Sequence, residues 1–286
     1  MKITIASAQY PITQFDEISK WITHTENWVK DAIAHKAEIV LFPEYGSMEL
    51  TSLLSSDAQQ SLNLQLQELQ PLLPEFKKTF QTLAQKYQCL IVAPSFPISH
   101  ENHYINRAFV FFPNGKVLHQ DKQIMTRFEN EQWGISPGEN QMHIFEYQGI
   151  KFGINICYDG EFPVFAQKQS LNGMQLLLHP SCTEGLAGME RVHVGARARA
   201  LENQIYVVVS QTIGNAPWSI AVDINNGKAA FYSTCDHLFP HNGTLKIGEL
   251  NQVGWIIQEL DFSLIDEIRK NGQVFNFQDI AKSLKR

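Results

Sequence analysis

The chain has 286 residues, of which 44% are apolar and 18% are charged, with a formal net charge of −6. The apolar fraction is sufficient for a large core, whereas the negative balance argues against nucleic acid or an anionic membrane surface as a partner. No apolar run approaches the roughly 18 residues of a membrane span. A charged fraction below the usual level of about 25% favours a surface that is partly buried in a homodimer or larger homo-oligomer.

The amino terminus and the cysteines together indicate a cytoplasmic protein. Residues 1–6 have the pattern of a β-strand and lack the charged, apolar and small-residue zones of a signal peptide. The four cysteines have no CxxC spacing. Reduced thiols in a cytoplasmic protein are therefore the simplest interpretation.

Apolar periodicity predicts alternating strands and helices through the first two thirds of the chain. A strand over 2–9 is followed by a helix with an apolar stripe from Ile18 to Ile33 and by a buried strand over 38–42. The sequence leaves open whether the Gln- and Leu-rich stretch 59–74 is a helical excursion or a loop. The later predicted elements are a helix over 75–88, strands over 89–95, 107–112, 116–120 and up to Cys157, a short helix from Pro163, a strand over 175–179, a helix over 190–202 and strands over 205–210, 218–224, 228–232 and 253–260.

Two turn signals predict β-hairpins within this pattern. Pro113-Asn114-Gly115 separates the strands over 107–112 and 116–120, and Asn225-Asn226-Gly227 separates the later pair. Strands of mixed direction with helices packed outside indicate an α/β fold. Two such sheets, each covered by helices, would form a four-layer α-β-β-α sandwich. Because no repeat or linker interrupts the chain, we expect a single domain over 1–286.

Three segments end in side chains that complement one another chemically. The strand over 38–42 leads to Glu44, the first hairpin leads to Lys122, and a long apolar run leads to Cys157. Each residue alone has a common structural explanation, as a capping carboxylate, a surface lysine or a core cysteine. Together they lie where the chain leaves buried strands, which is where α/β folds place their sites. A thiol, a carboxylate and an ammonium predict an activated nucleophile.

The motifs around these residues resemble those of the nitrilase superfamily of carbon–nitrogen hydrolases, which use a Glu-Lys-Cys triad. The resemblance extends from about Lys2 to Leu260. It implies the four-layer sandwich of the nitrilase type, assembly into dimers or larger oligomers, and no requirement for a metal or organic cofactor. The motifs are Phe42-Pro43-Glu44, Asp121-Lys122, Cys157-Tyr158-Asp159 with Phe162-Pro163, and Ala198-Arg199-Ala200-Leu201-Glu202-Asn203.

The resemblance implies cysteine-dependent hydrolysis of a small linear amide to an acid and ammonia through a thioester. Cys157 would be the nucleophile and Glu44 the general base. Lys122 and the backbone N–H of Tyr158 would stabilise the oxyanion. The same triad serves nitrilases and carbamoyl-amine hydrolases. Alternatives from other classes are a catalytically silent binding protein and a thiol redox sensor that uses Cys157 and Cys182.

A second glutamate supports the lysine in many members of the family, and this chain has two candidates. Counting from Lys122 favours Glu129, whereas the distance to Pro137-Gly138 favours Glu131. We select Glu131 as the supporting residue.

The substrate pocket is less well defined by the motifs. Many members have an arginine just before the Phe-Pro that follows the cysteine, where this chain has Gly160-Glu161. With this departure, the chain resembles a poorly characterised branch of the family. The substrate class is therefore left open. His179 and Ser181 follow a strand that points to the same sheet edge, and we predict that they bind substrate. The ten histidines show no zinc-ligand spacing such as HExxH, so no metal is predicted.

Overall fold

The computed structural model describes residues 1–283. The described strands are β1 (Lys2–Pro11), β2 (Ile39–Leu41), β3 (Leu90–Val92), β4 (Phe96–His100), β5 (His103–Phe111), β6 (Val117–Asp121), β7 (Ile135–Ser136), β8 (Phe145–Tyr147), β9 (Ile150–Ile154), β10 (Leu176–Ser181), β11 (Tyr206–Asn215), β12 (Ile224–Asn225), β13 (Ala230–Tyr232), β14 (Thr244–Ile247) and β15 (Gly254–Asp261). The described helices are α1 (Ile18–Ala34), α2 (Ser56–Gln59), α3 (Leu62–Leu69), α4 (Leu73–Tyr87), α5 (Pro163–Leu171), α6 (Leu186–Asn203), α7 (Phe262–Asn271) and α8 (Asn276–Ser283). None of these helices combines the length and hydropathy needed to cross a membrane.

Six parallel strands form the centre of the sheet, in the order β3-β2-β1-β11-β10-β9. Antiparallel strands extend this centre, with β5 and β4 beyond β3 and β8 beyond β9. Parallel strands direct their carboxyl ends to one edge of the sheet. The residues that follow β2, β9 and β10 are therefore brought to the same edge.

The curled sheet places its two halves face to face with helices outside, because alternate strand residues point to opposite sides. Ile39 of β2 belongs to the same core as Phe152 of β9 and Ala196 of α6. Val40, the next residue along β2, packs instead in the core beneath α1 and α4 with Phe80. Helices α1 and α4 thus cover one half of the sheet, and α5 and α6 cover the other. The predicted four-layer α-β-β-α sandwich is confirmed.

The predicted second hairpin is wrong. β12 and β13 do not pair with each other, since both pair antiparallel with β11. The glycine signal has another cause: a Cβ at Gly227 would lie 2.5 Å from the Cβ of Gln211 and 2.6 Å from the carbonyl oxygen of Thr212. Gly227 therefore allows the chain to pass closely over β11. The first hairpin is confirmed, with Phe111 of β5 paired with Val117 of β6.

The stretch 59–74, for which the sequence left helix or loop undecided, is largely helical. Its helices begin at serine caps, because Ser55 accepts a hydrogen bond from the backbone N–H of Ala58 and Ser61 accepts one from Leu64. A short 3₁₀ segment then leads directly into α4. Leu66 and Leu69 are buried in the core under α1 and α4, so this excursion is packed on the sandwich.

Candidate active site

The three predicted catalytic side chains meet at the carboxyl edge of the parallel strands. Glu44 lies three residues beyond the end of β2, Cys157 lies three residues beyond the end of β9, and Lys122 directly follows β6. All three line one cavity of about 780 Å³. The fold therefore brings together residues that are up to 113 positions apart in the sequence.

The nucleophile candidate lies on a strained turn. β9 ends at Ile154, and Cys157 begins a short 3₁₀ segment that extends to Glu161. Its φ of +47° is in the left-handed region, which is costly for a residue with a side chain and is often found at functional sites. The thiol Sγ lies 3.6 Å from the carbonyl oxygen of Cys182. The turn thus holds the thiol against the end of the neighbouring strand.

A buried carboxylate ties the cysteine turn to the lysine segment. Asp159 accepts hydrogen bonds from the backbone N–H of Gln123 at 3.1 Å and of Ile124 at 2.8 Å. Burial raises the pKa of Asp159 to about 7. In the sequence, Asp159 is recognisable only as part of the cysteine motif, and its role as a connection between the two motifs follows from the fold.

The ammonium of Lys122 lies between two carboxylates. Its Nζ is 2.8 Å from Oε1 of Glu44 and 2.7 Å from both carboxylate oxygens of Glu129. Burial by itself lowers the pKa of Lys122, but the charges of Glu129 and Glu44 outweigh that effect and raise the pKa well above its ordinary value. Lys122 is therefore a permanent cation, although its side chain is only 1% exposed.

Glu129, rather than the selected Glu131, contacts Lys122. Glu131 is half exposed and pairs with Arg127 at 2.9 Å. The two glutamates belong to one π-helical turn over 129–133, and residues two positions apart in a helix point in different directions. Only Glu129 can face the lysine, so the choice of Glu131 is corrected.

The carboxylate of Glu129 is held by neutral donors as well as by Lys122. The hydroxyl of Tyr45 donates to it at 2.7 Å, and the backbone N–H and hydroxyl of Thr126 donate at 2.8 and 2.9 Å. Burial raises the pKa of Glu129, but the charge of Lys122 outweighs burial and the pKa is lowered overall. Glu129 is thus a fixed anion. Tyr45 and Thr126 lie outside the sequence motifs and were not predicted to belong to the site.

Of the two carboxylates that contact Lys122, Glu44 is the one that can gain and lose a proton near neutral pH. Burial raises its pKa to about 7, against the opposing charge of Lys122. Its Oε1 also accepts a hydrogen bond from the Asn106 amide at 2.9 Å, and its Oε2 accepts one from the backbone N–H of Cys182 at 2.9 Å. A carboxyl group with a pKa near neutrality is suited to take and return a proton.

The cavity is lined by the catalytic candidates, by apolar walls and by charged residues at its mouth. Tyr158 is part of the lining, and its ring packs edge-to-face on Phe162 at 4.9 Å. The complete lining is Glu44, Tyr45, Lys122, Thr126, Arg127, Phe128, Glu129, Trp133, Cys157, Tyr158, Glu161, Cys182, Thr183, Glu184, Gly185, Gly188, Arg191, Val192, Ile220, Ala221, Val222, Asp223 and Ile224.

His179 and Ser181 lie outside the cavity lining, so the prediction that they contact substrate is corrected. Both belong to β10 and are fully buried. The imidazole Nε2 of His179 lies 2.9 Å from the carbonyl oxygen of Cys157. This contact supports the cysteine turn from the side of β10. A Cβ at Gly160 would lie 2.1 Å from that imidazole. Glycine at this position therefore allows the histidine to pack under the turn.

A four-layer sandwich with buried carboxylate, lysine and cysteine side chains at one strand edge defines a nitrilase-type protein. The family model for carbon-nitrogen hydrolases matches residues 4–270, and the chain belongs to this family. A crystal structure of a carbon-nitrogen hydrolase from Helicobacter pylori G27 superposes with a TM-score of 0.78 at 20% sequence identity, covering 100% of this chain and 99% of that one.

Curated relatives match over different lengths. The chain is 30% identical over 282 residues to "Probable hydrolase YhcX" of Bacillus subtilis strain 168, an alignment that covers 99% of this chain and 54% of that protein. It is 30% identical over 145 residues to "Omega-amidase NIT2" of Xenopus tropicalis, covering 48% of this chain and 52% of that protein. The alignments thus span about half the length of each relative.

Replacing Glu129 and Glu131 separately by glutamine tests the corrected assignment. Glu129→Gln leaves the buried Lys122 with one carboxylate, and we expect it to lower the free energy of unfolding by about 3–5 kcal/mol. Glu131→Gln removes an exposed pair and should leave stability unchanged. Urea unfolding at neutral pH measures both. Equal effects of the two changes would contradict the assignment.

Proposed function

We propose that the protein hydrolyses a carbon–nitrogen bond of a small linear amide, with Cys157 as the nucleophile. One observation supports this most strongly. A thiol, a carboxylate whose pKa is about 7 and a permanently cationic lysine line the same cavity. Each supplies a function that acyl transfer to a thiol requires.

In the first step, Glu44 takes the proton of the thiol as sulfur attacks the amide carbon. Burial, followed by the charge of Glu44, raises the pKa of Cys157 well above that of an ordinary thiol. The charge of Lys122 acts in the opposite direction but does not outweigh these effects. The resting thiol is therefore protonated, and deprotonation accompanies attack instead of preceding it.

Lys122 then stabilises the oxygen that becomes negative when the carbonyl π bond opens. Its ammonium is held by Glu44 and Glu129 before substrate arrives, so little reorganisation is needed. The backbone N–H of Tyr158, next to the nucleophile, is the proposed second donor. Glu129 acts through Lys122 as a positioning residue, because its contacts are with the lysine.

Collapse of the intermediate breaks the carbon–nitrogen bond. Protonated Glu44 returns its proton to the leaving nitrogen, which departs as ammonia and leaves a thioester on Cys157. Water then attacks the thioester with Glu44 as general base, which releases the acid and restores the thiol. The overall reaction therefore converts one amide and one water molecule into one acid and one ammonia molecule.

The size of the cavity supports a small substrate. Its volume of about 780 Å³ is within the usual range of roughly 300–1,000 Å³ for small-molecule sites. The resemblance to a protein named as an omega-amidase makes a terminal amide the first choice. Nitriles and carbamoyl amines are the other proposed substrates, since the same three groups would serve them.

Ammonia release from a panel of small amides, ω-amides, carbamoyl compounds and nitriles tests the proposal. We expect turnover of at least one class and a loss of at least about 10³-fold in Cys157→Ala, because removal of the nucleophile leaves only binding contributions. Cys235→Ala is the matched control, since this thiol is exposed and outside the cavity lining. Turnover that persists in Cys157→Ala would exclude the thiol mechanism.

The pH dependence of kcat/KM tests the role of Glu44. A general base acts when it is ionised, so kcat/KM should fall as pH decreases through about 7, where Glu44 becomes protonated. Glu131→Gln should keep this acid limb, because Glu131 lies outside the site. A profile that stays flat from about pH 5 to about pH 8 would contradict the assignment.

A further inference from the structure

Two histidines and a glutamate come together away from the cavity. His119 is in β6, whereas Glu139 and His143 lie in the segment that connects β7 to β8. One donor atom from each lies within 4.8 Å of the other two. None of the three is among the described residues that line the cavity. Sequence spacing did not predict this cluster, because His119 and His143 meet only after the segment folds back onto β6.

The main chain of this segment is fixed by side chains at the end of β6. Gln120 accepts a hydrogen bond from the backbone N–H of His143 at 2.8 Å and donates one to the carbonyl oxygen of Gln141 at 2.9 Å. Asp121 accepts one from the backbone N–H of Glu139 at 3.4 Å. In the described chain, the side chains of Glu139 and His143 make no hydrogen bond to protein. The backbone is thus held while both side chains remain available to a ligand.

His119 supplies an independent indication of a missing partner. Its Nε2 is shielded from solvent, and no group within residues 1–283 forms a hydrogen bond with it. Buried polar atoms without a partner are uncommon in folded proteins. An ion coordinated at Nε2 would satisfy this atom.

We propose that His119, Glu139 and His143 form a binding site for a divalent transition-metal ion, with zinc as the best-fitting ion. Two imidazoles and one carboxylate are a common zinc ligand set and leave a fourth position for water. Metal–ligand distances of about 2.0–2.1 Å require the donors to approach to roughly 3.3 Å from one another. The exposed side chain of Glu139 can rotate to provide this movement.

The charges around the site permit a cation. Arg107 is the neighbouring positive group, but its guanidinium pairs with Asp121 through two hydrogen bonds of 2.6 and 2.8 Å. The carboxylate of Asp121 therefore offsets the positive charge of Arg107. Glu139 contributes a further negative charge directly to the ion.

Metal binding at this site would fix the segment that precedes β8 in its position next to Lys122. The backbone N–H of Gly138 donates to the carbonyl oxygen of Lys122 at 3.0 Å. Glu139 is the next residue. An ion shared by Glu139 and His119 would therefore hold this segment onto β6 immediately before Lys122. The expected consequence is greater resistance of the folded protein to unfolding.

Calorimetric titration with Zn²⁺ tests the site, using the full chain with Cys157→Ala as the parent so that the thiol of Cys157 cannot bind the ion. We expect one ion per chain. Addition of His119→Ala or Glu139→Gln should each weaken binding by at least about tenfold. His100→Ala is the matched control, because His100 and His103 form another close pair, with ring centroids 5.6 Å apart, and binding should be unchanged.

Urea unfolding distinguishes a lost ligand from a damaged fold. Without metal, Glu139→Gln should unfold as the parent does, since its main-chain hydrogen bonds remain. With Zn²⁺, the unfolding midpoint should rise in the parent and not in Glu139→Gln. Absence of Zn²⁺ binding to the parent, or binding that either His119→Ala or Glu139→Gln leaves unchanged, would overturn the proposal.

Discussion

The buried ammonium of Lys122 is the constraint on which the rest of the site depends. Removing a charge from water is expensive, and the cost is offset only when the charge is fully paired. Glu44 and Glu129 provide that pairing at 2.7–2.8 Å, but they bring two further buried charges. Their carboxylate oxygens also accept hydrogen bonds from Tyr45, Thr126, Asn106 and the backbone N–H of Cys182. The buried charges are therefore stable only together, because each is paired with or hydrogen-bonded to another member of the network.

The parallel strand edge and its turns give this unit its geometry. β2 and β9 deliver Glu44 and Cys157 to the same edge of the sheet, and the left-handed conformation of Cys157 presents the thiol to the cavity. Asp159 joins the cysteine turn to the lysine segment, and His179 supports the turn from below. The Cys157 turn and the segment that carries Lys122 are consequently held by hydrogen bonds to backbone groups, which suits a site that is organised before substrate binds.

The four-layer fold was predicted through the family resemblance of the ordered motifs, since periodicity alone does not establish a second sheet. The three residues that meet in the cavity were predicted from the same motifs and from the strand ends. The sequence was insufficient where the outcome depends on local geometry or distant contacts. Glu129 replaced Glu131 because a π-helical turn decides which carboxylate faces inward. Gly227 indicated a hairpin turn, but its role in the structure is to let the chain pass close to β11. The short strands β4, β8 and β14 lack a periodic signal long enough to read, and their pairing partners define them.

The pH dependence of Cys157 alkylation by iodoacetamide, followed by peptide mapping, tests the central claim most directly. If Glu44 accepts the thiol proton within the Lys122 network, the alkylation rate should rise with an apparent pKa near 7, that of Glu44. Glu44→Gln should abolish this rise, since the thiol then lacks its base. A rate that increases only around the ordinary thiol pKa of about 8.5, and equally in both proteins, would show that Cys157 ionises independently of Glu44 and would contradict the account.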